Sequence, residues 1–375
     1  MKYIEEFRDG AVAQRLARHI QAYSGRPVSL MEVCGTHTVA IFRHGIRQLL
    51  PPSVRMLSGP GCPVCVTANA DLDKAIALAQ MPGVILTTFG DMLKVPGSYS
   101  SLQRARAEGG DVRIVYSALD ALDIARRNPQ QQVVFFAVGF ETTAPTIAAS
   151  VAEARRQSLS NYSIVSVHKL VPPALRALLD SGELHIDGFL LPGHVSAIIG
   201  SAPYQFIARD YGIPCVIAGF EPLDVLQSIA LLLEQIAAGE ARVEIQYRRA
   251  VPPQGNPAAL AQMYAVFQPG DAAWRGLGTI PASGLCVRDD YAVFDAERRL
   301  AIQTPPPKEQ RGCRCGEVLR GVIAPPECAL FAQACTPENP VGPCMVSFEG
   351  TCAAWYNYGG AMMTEQVHDP RSLRL

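Results

Sequence analysis

The sequence predicts an α/β protein: two similar parallel-sheet α/β domains, followed by a cysteine-rich C-terminal domain with little regular structure. Three observations carry that reading. A short apolar strand, a glycine-rich turn and an amphipathic helix recur in one rhythm up to about residue 240, the alternation that builds parallel sheets. Short strings repeat at strand ends: Gly139-Phe140-Glu141 returns as Gly219-Phe220-Glu221, and Pro60-Gly61-Cys62 is matched by Pro192-Gly193-His194. Such echoes favour two related halves. Finally, six of the 11 cysteines crowd between 313 and 352, while none lies between 65 and 215.

The elements follow in order. Ile4, Phe7, Val12, Leu16 and Ile20 stand at helical spacing, with Gly25 as the stop. Strands are predicted at 28–33, 54–58, 84–89 and 112–117, then at 133–138, 162–168, 186–192 and 214–220. Helices fill 71–80, 118–127, 145–157 and 172–180. Pro129 ends a helix and marks the boundary between the halves. A first α/β domain is therefore expected at 1–130 and a second at 131–247. A long helix at 222–238 stops at Gly239, and the proline-rich 248–257 reads as a connector. Beyond it, 258–375 holds one helix (PAALAQMYAVF), turns, Pro305 to Pro307 and the cysteine cluster.

Composition narrows the function. At roughly 150 residues per domain, 375 residues make two or three domains. Charged residues are 18% of the chain, against about 25% in ordinary proteins, and net charge is −1. Arginine pairs are scattered and not interleaved with aromatics, so nothing advertises nucleic acid. The N-terminus lacks an apolar signal core, and LDVLQSIALLLEQIAA is broken by Asp224, Gln227 and Glu234, short of a membrane span. A cytoplasmic protein is expected. Stable disulfides are rare there, so its cysteines read as metal or redox chemistry.

Cys34 and His37, in VCGTHT, follow a predicted strand, where open α/β sheets gather ligands. A helix starting there would favour the Cys34 thiolate; the competing reading is a buried structural thiol. GPGCPVC puts Cys62 and Cys65 in a CxxC after another strand. That turn suits either a disulfide or two sulfurs aimed at one metal. Three thiols and an imidazole can then converge from neighbouring loops. In the C-terminal cluster only Cys313 and Cys315 are close in sequence, unlike paired zinc knuckles. Iron–sulfur chemistry suits that spread better, with zinc the alternative. His194 lies in a tight loop between Gly193 and Gly200, expected at the edge of the second half. Asp91 and Glu141 also follow strands and either serve the site or cap the next helix. Cys215 and Cys286 read as inert buried thiols, and His19, His44, His185 and His368 have no motif context. No GxGxxG, P-loop or HExxH string occurs.

Six ordered strings, EVCGTHT, GPGCPVCVT, TFGDMLKVPG, FFAVGFETTAP, LPGHVSAIIG and GPCMVSFEGTCAAWYNY, run from residue 32 to residue 358. Together they closely resemble the HypD family of hydrogenase maturation factors. The resemblance implies a cytoplasmic scaffold with redox activity that assembles the Fe(CN)2CO centre of [NiFe]-hydrogenases. It implies a small HypC-type chaperone that shares the iron and a HypE-type cyanide donor. By similarity, Cys34 is the iron ligand, Cys62 and Cys65 are redox-active or auxiliary metal partners, and His37 and His194 shape the site. The family's [4Fe–4S] pattern matches Cys313, Cys328, Cys335 and Cys352, with 14, 6 and 16 residues between them. Cys315 and Cys344 fall outside it and are expected to be spare thiols. The competing function is an iron–sulfur-dependent thiol–disulfide reductase.

Overall fold

The computed structural model describes residues 5–360. Its strands are β1 (Val28–Glu32), β2 (Val54–Ser58), β3 (Val84–Thr88), β4 (Asp111–Ile114), β5 (Gln132–Ala137), β6 (Tyr162–Ser166), β7 (Gly188–Pro192), β8 (Cys215–Ala218), β9 (Val243–Ile245), β10 (Phe267–Trp274) and β11 (Gly278–Val287). They form a five-stranded sheet in the order β2-β1-β7-β8-β9, a four-stranded sheet β4-β3-β5-β6 and a two-stranded ribbon β10-β11. Both larger sheets are parallel throughout. The α/β class and the two parallel sheets stand as expected.

The division of the chain does not. The expected halves, 1–130 and 131–247, cut through both sheets. The strands between Val84 and Ser166 form the four-stranded sheet, and β7 to β9 return to join β1 and β2. The reason lies in β1. Successive side chains Leu30 and Met31 point to opposite faces, and both are fully buried. Such a strand needs cover on both faces and a neighbour on each edge. β2 supplies one edge and β7 the other, with Leu30, Met31 and Glu32 in register with Gly188, Phe189 and Leu190. Local rhythm predicts parallel pairing but carries no record of which distant strand fills an open edge.

The helix Gly10–Gln21 is tied at its start by the Asp9 carboxylate, which accepts the Ala11 and Val12 amides. It lies against the helix Pro222–Ala238 over one face of the first sheet, with Ile20, Val225 and Ile229 in a common core. Between the sheets runs one continuous apolar layer. It joins Met31, Phe189 and Leu191 of the first to Leu86, Val134 and Phe136 of the second.

The C-terminal region is less regular, as expected, and opens with the expected helix, but a two-stranded ribbon follows that the sequence reading missed. The helix Pro257–Val266 and the β10–β11 ribbon are regular and pack on the four-stranded sheet. Met263, Val266 and Phe267 are fully buried with Phe135 and Ile147, and the Leu170 amide donates to the Ser283 carbonyl at 2.8 Å. Pro269, Pro281 and four glycines blur the alternation that would have announced two strands. From about residue 300 the expectation holds: among the described residues only short helical pieces occur, Cys315–Leu319, Pro325–Glu327, Pro343–Val346 and Thr351–Tyr358. Among the described residues no helix is long and apolar enough to cross a membrane.

Candidate metal and redox centre

Cys34, Cys62 with Cys65, and His194 follow β1, β2 and β7, three adjacent strands of one sheet. His194 is therefore not at the edge of a separate second half, as expected from the sequence; it shares the carboxyl edge with Cys34. Close backbone approach holds this edge together. The Gly35 amide donates to the Gly61 carbonyl at 3.0 Å, and a Cβ on Gly61 would run into the Cys34 backbone. Glycine is needed there for space. A Cβ on Gly35 would lie 2.5 Å from the Glu349 Cβ, so the C-terminal loop sits directly on the Cys34 turn.

Two acids that sequence reasoning passed over frame Cys34. The buried Glu32 carboxylate accepts the Cys34 amide at 3.0 Å and the Thr38 hydroxyl at 2.5 Å. Glu349 accepts the Thr36 hydroxyl at 2.7 Å. Cys34 is the N-cap of the helix Gly35–Arg43, the position expected to favour thiolate. Burial reverses that outcome. Desolvation, reinforced by the Glu349 and Glu32 charges, pushes the Cys34 thiol up to about 12 against the opposing amides of His37 and Thr36. Burial raises the Glu32 carboxyl as well. The metal-free site thus favours a neutral thiol, and a cation entering it would displace the proton.

His37 is fully buried, its Nε2 2.9 Å from the Gly219 carbonyl and 3.3 Å from that of Ala218. Carbonyls only accept, so Nε2 carries the proton. Burial lowers the ring to about 4, leaving it neutral. Its Nδ1 is buried with no hydrogen-bond partner among the described residues. The His37 ring stacks on Phe220 at 4.7 Å, and His194 stacks on the same ring at 3.8 Å. Phe220 is a site residue that went unassigned; its only signal was the repeated Gly-Phe-Glu string.

Cys62 and Cys65 are joined in a disulfide, with a Cα–Cα distance of 5.2 Å. In this state their sulfurs hold each other, so the expected metal-ligand role has no free thiolate here. Among the described residues no three His, Cys, Asp or Glu side chains converge as ligands of a single metal ion. The Cys65 sulfur lies 3.9 Å from the Pro343 carbonyl, beside Cys344.

Cys313, Cys315, Cys328, Cys335, Cys344 and Cys352 line one cavity, closed otherwise by apolar groups including Val318, Leu330, Phe331 and Met345. This donor set fits an iron–sulfur cluster. Thiolates on separate corners of a cubane stand further apart than the ligands of one ion, and the site needs no other polar partner. Cys315 and Cys344, expected to be spare thiols, line the same cavity as the other four. Their sulfurs are 2.7 Å apart, and they share an apolar core with Cys62 and Cys65.

The remaining candidates separate cleanly. Glu141 caps no adjacent helix: its Oε1 accepts the Val171 amide at 2.9 Å, at the start of the helix Val171–Asp180. Asp91 is partly desolvated, which raises its carboxyl, and Ser347 of the C-terminal loop opposes that shift. Cys215 is buried as expected, but Cys286 is exposed on the ribbon. His368 lies outside the described residues.

The family model of HypD, described as the hydrogenase formation hypA family, matches residues 11–359. This chain belongs to the HypD family. The hydrogenase maturation factor HypD of Rhodobacter capsulatus is 49% identical over 377 residues, covering 97% of this chain and all of that protein. That of Azotobacter vinelandii is 51% identical, covering 96% and 97% of the two chains. The Escherichia coli factor is 45% identical, covering 96% and 98%. The HypD match thus spans both sheets, the ribbon and the cysteine loops.

Proposed function

We propose that this chain acts in hydrogenase maturation as a redox-active scaffold on which the Fe(CN)2CO centre is assembled. The observation that carries the reading is contiguity. The Cys34 turn, the Cys62–Cys65 disulfide and the six-cysteine cavity meet through one loop, with Glu349 on Gly35 and Pro343 beside Cys65. Iron is the cargo. Cys34 offers it a soft thiolate once the proton leaves, and strong-field cyanide and carbonyl ligands stabilise the low-spin ferrous state that thiolates hold well. His37 and His194, clamped by Phe220, wall the site and limit water. A HypC-type chaperone is the partner proposed to complete the coordination, and a HypE-type protein the cyanide donor.

Cys313, Cys328, Cys335 and Cys352 would hold the [4Fe–4S] cluster, which supplies one-electron transfer when bound. Opening the Cys62–Cys65 bond takes two electrons and two protons and leaves two thiols; an external one-electron donor is required. Cys315 and Cys344 line the cavity, and the short helix carrying Cys344 packs on the one carrying Cys65. This arrangement also supports the second reading, a thiol–disulfide reductase without iron cargo.

Infrared spectroscopy with iron analysis separates the two. Anaerobically purified protein, co-isolated with a HypC-type chaperone, is expected to show cyanide and carbonyl bands. Cys34→Ala is expected to lose those bands while keeping the fold and the cluster absorbance. Bands at wild-type intensity in the variant place the iron elsewhere, and their absence from the wild type favours the reductase.

A further inference from the structure

Arg47 stands where a charge is hard to explain by its protein neighbours. It lies in the short helical turn Ile46–Leu49, and its Nε is buried with no hydrogen-bond partner among the described residues. Among the described residues it makes no ion pair. Glu32, the acid whose charge acts on it, spends its oxygens on the Cys34 amide and the Thr38 hydroxyl. The guanidinium instead lies over two aromatic rings, 4.7 Å from the centre of Phe42 and 5.4 Å from that of Trp355.

Those rings pack behind the lining of the cysteine cavity. Trp355 follows Cys352 by three residues on the helix Thr351–Tyr358, one turn along the same face. Phe42 and Trp355 pack with Cys328, Phe331, Cys335 and Met345, all of which line the cavity. A shielded cation with no ion-pair partner is costly unless nearby anions compensate it, and Glu32 acts on Arg47 only through its charge, without contact. A cluster held by four thiolates is such an anion, and it gains one further negative charge on one-electron reduction.

We propose that Arg47 raises the reduction potential of the cluster in the cysteine cavity, by holding a positive charge on the Phe42–Trp355 pair that packs behind the cavity lining. The inference rests on the cluster assignment made above. Arg47 touches no cysteine and acts through the field across the two rings, so it is a positioning residue. Its charge favours the reduced cluster over the oxidised one, because attraction grows with the added electron.

The test uses the full chain with its cluster reconstituted anaerobically, as wild type, Arg47→Lys, Arg47→Met and Arg47→Gln. Visible absorbance reports cluster content. Potentiometric titration with dithionite, followed by electron paramagnetic resonance of the reduced cluster, reports the midpoint potential. Both neutral variants are expected to keep the chromophore and shift the midpoint to more negative values, with Arg47→Lys close to wild type. Should one neutral variant fail to fold, the other carries the comparison. Cluster content and midpoint equal to wild type in a neutral variant overturn the role of Arg47 and leave the cluster assignment standing. A wild type that binds no cluster overturns the assignment, and the inference with it.

Discussion

Glu141 shows how one residue links burial to a measurable property. Its Oε1 is bonded by the Val171 amide, but its Oε2 is buried without a partner among the described residues, and desolvation raises the carboxyl to about 7. An unfolded chain releases this proton near pH 4, so between about pH 4 and pH 7 the folded state binds more protons. Stability from this group is therefore complete below that window and is lost as pH rises through it. The loss is at most about 3 kcal/mol. Glu141→Gln, neutral throughout, is expected to lack this component. Urea unfolding at about pH 5 and about pH 8 checks it: the wild type is expected to lose more stability than the variant between them. Parallel losses would mean that Glu141 is ionised in the fold.

At the scale of an element, the start of the helix Pro222–Ala238 depends on one carboxylate. Asp224 is fully buried and accepts the Glu221 amide at 3.1 Å and the Gln246 side chain at 2.9 Å. Arg249 grips it with two bonds, 2.8 and 2.5 Å. One side chain thereby ties the helix to the strand end and to the connector after β9. It also braces the Gly219–Phe220 turn, because a Cβ on Gly219 would strike its carboxylate. Asp224→Ala strands a partly buried guanidinium and is expected to cost about 3–5 kcal/mol. Adding Arg249→Met is expected to recover much of that loss, since replacing both partners removes the unpaired charge. Denaturant midpoints of the single and double variants decide the matter. A double variant no better than Asp224→Ala would show that the cap alone matters.

For the whole molecule, the C-terminal loops close over a sheet edge built far earlier in the chain. If the cluster organises those loops, losing it loosens the Cys34 turn as well. Replacing Cys328 by Ala is expected to bleach the brown chromophore, since three thiolates hold a cubane poorly. Amide exchange is then expected to quicken at 343–352 and at 33–38, while the four-stranded sheet keeps its protection. Cys344→Ala is expected to retain the colour. A bleached Cys344 variant beside a coloured Cys328 variant would reassign the ligands, and unchanged exchange at 33–38 would separate the two sites.

Most strands of the two parallel sheets and the chemical inventory were legible in the sequence, though the β10–β11 ribbon was not. Apolar runs such as VVFFAV and IDGFLLP announced buried parallel strands, because burial on both faces leaves no polar alternation to confuse. The strings around Cys34, Cys62 and His194 marked strand ends as the place of chemistry, and the cysteine spacing pointed to a cluster. Tertiary structure decided everything that depends on distant partners. It sent β7 to the open edge of β1, which put His194 beside Cys34 on one sheet edge and not at the edge of a separate second half. It slid Phe220 between two imidazoles and brought Cys315 to Cys344 across 29 residues of chain. It also overrode the helix N-terminus at Cys34, because the desolvation of a buried thiol outweighs a partial dipole. Periodicity and spacing describe what a segment can do with its neighbours in sequence. Burial and juxtaposition are properties of the packed chain, and only they set the charge on Cys34 and the company that each cysteine keeps.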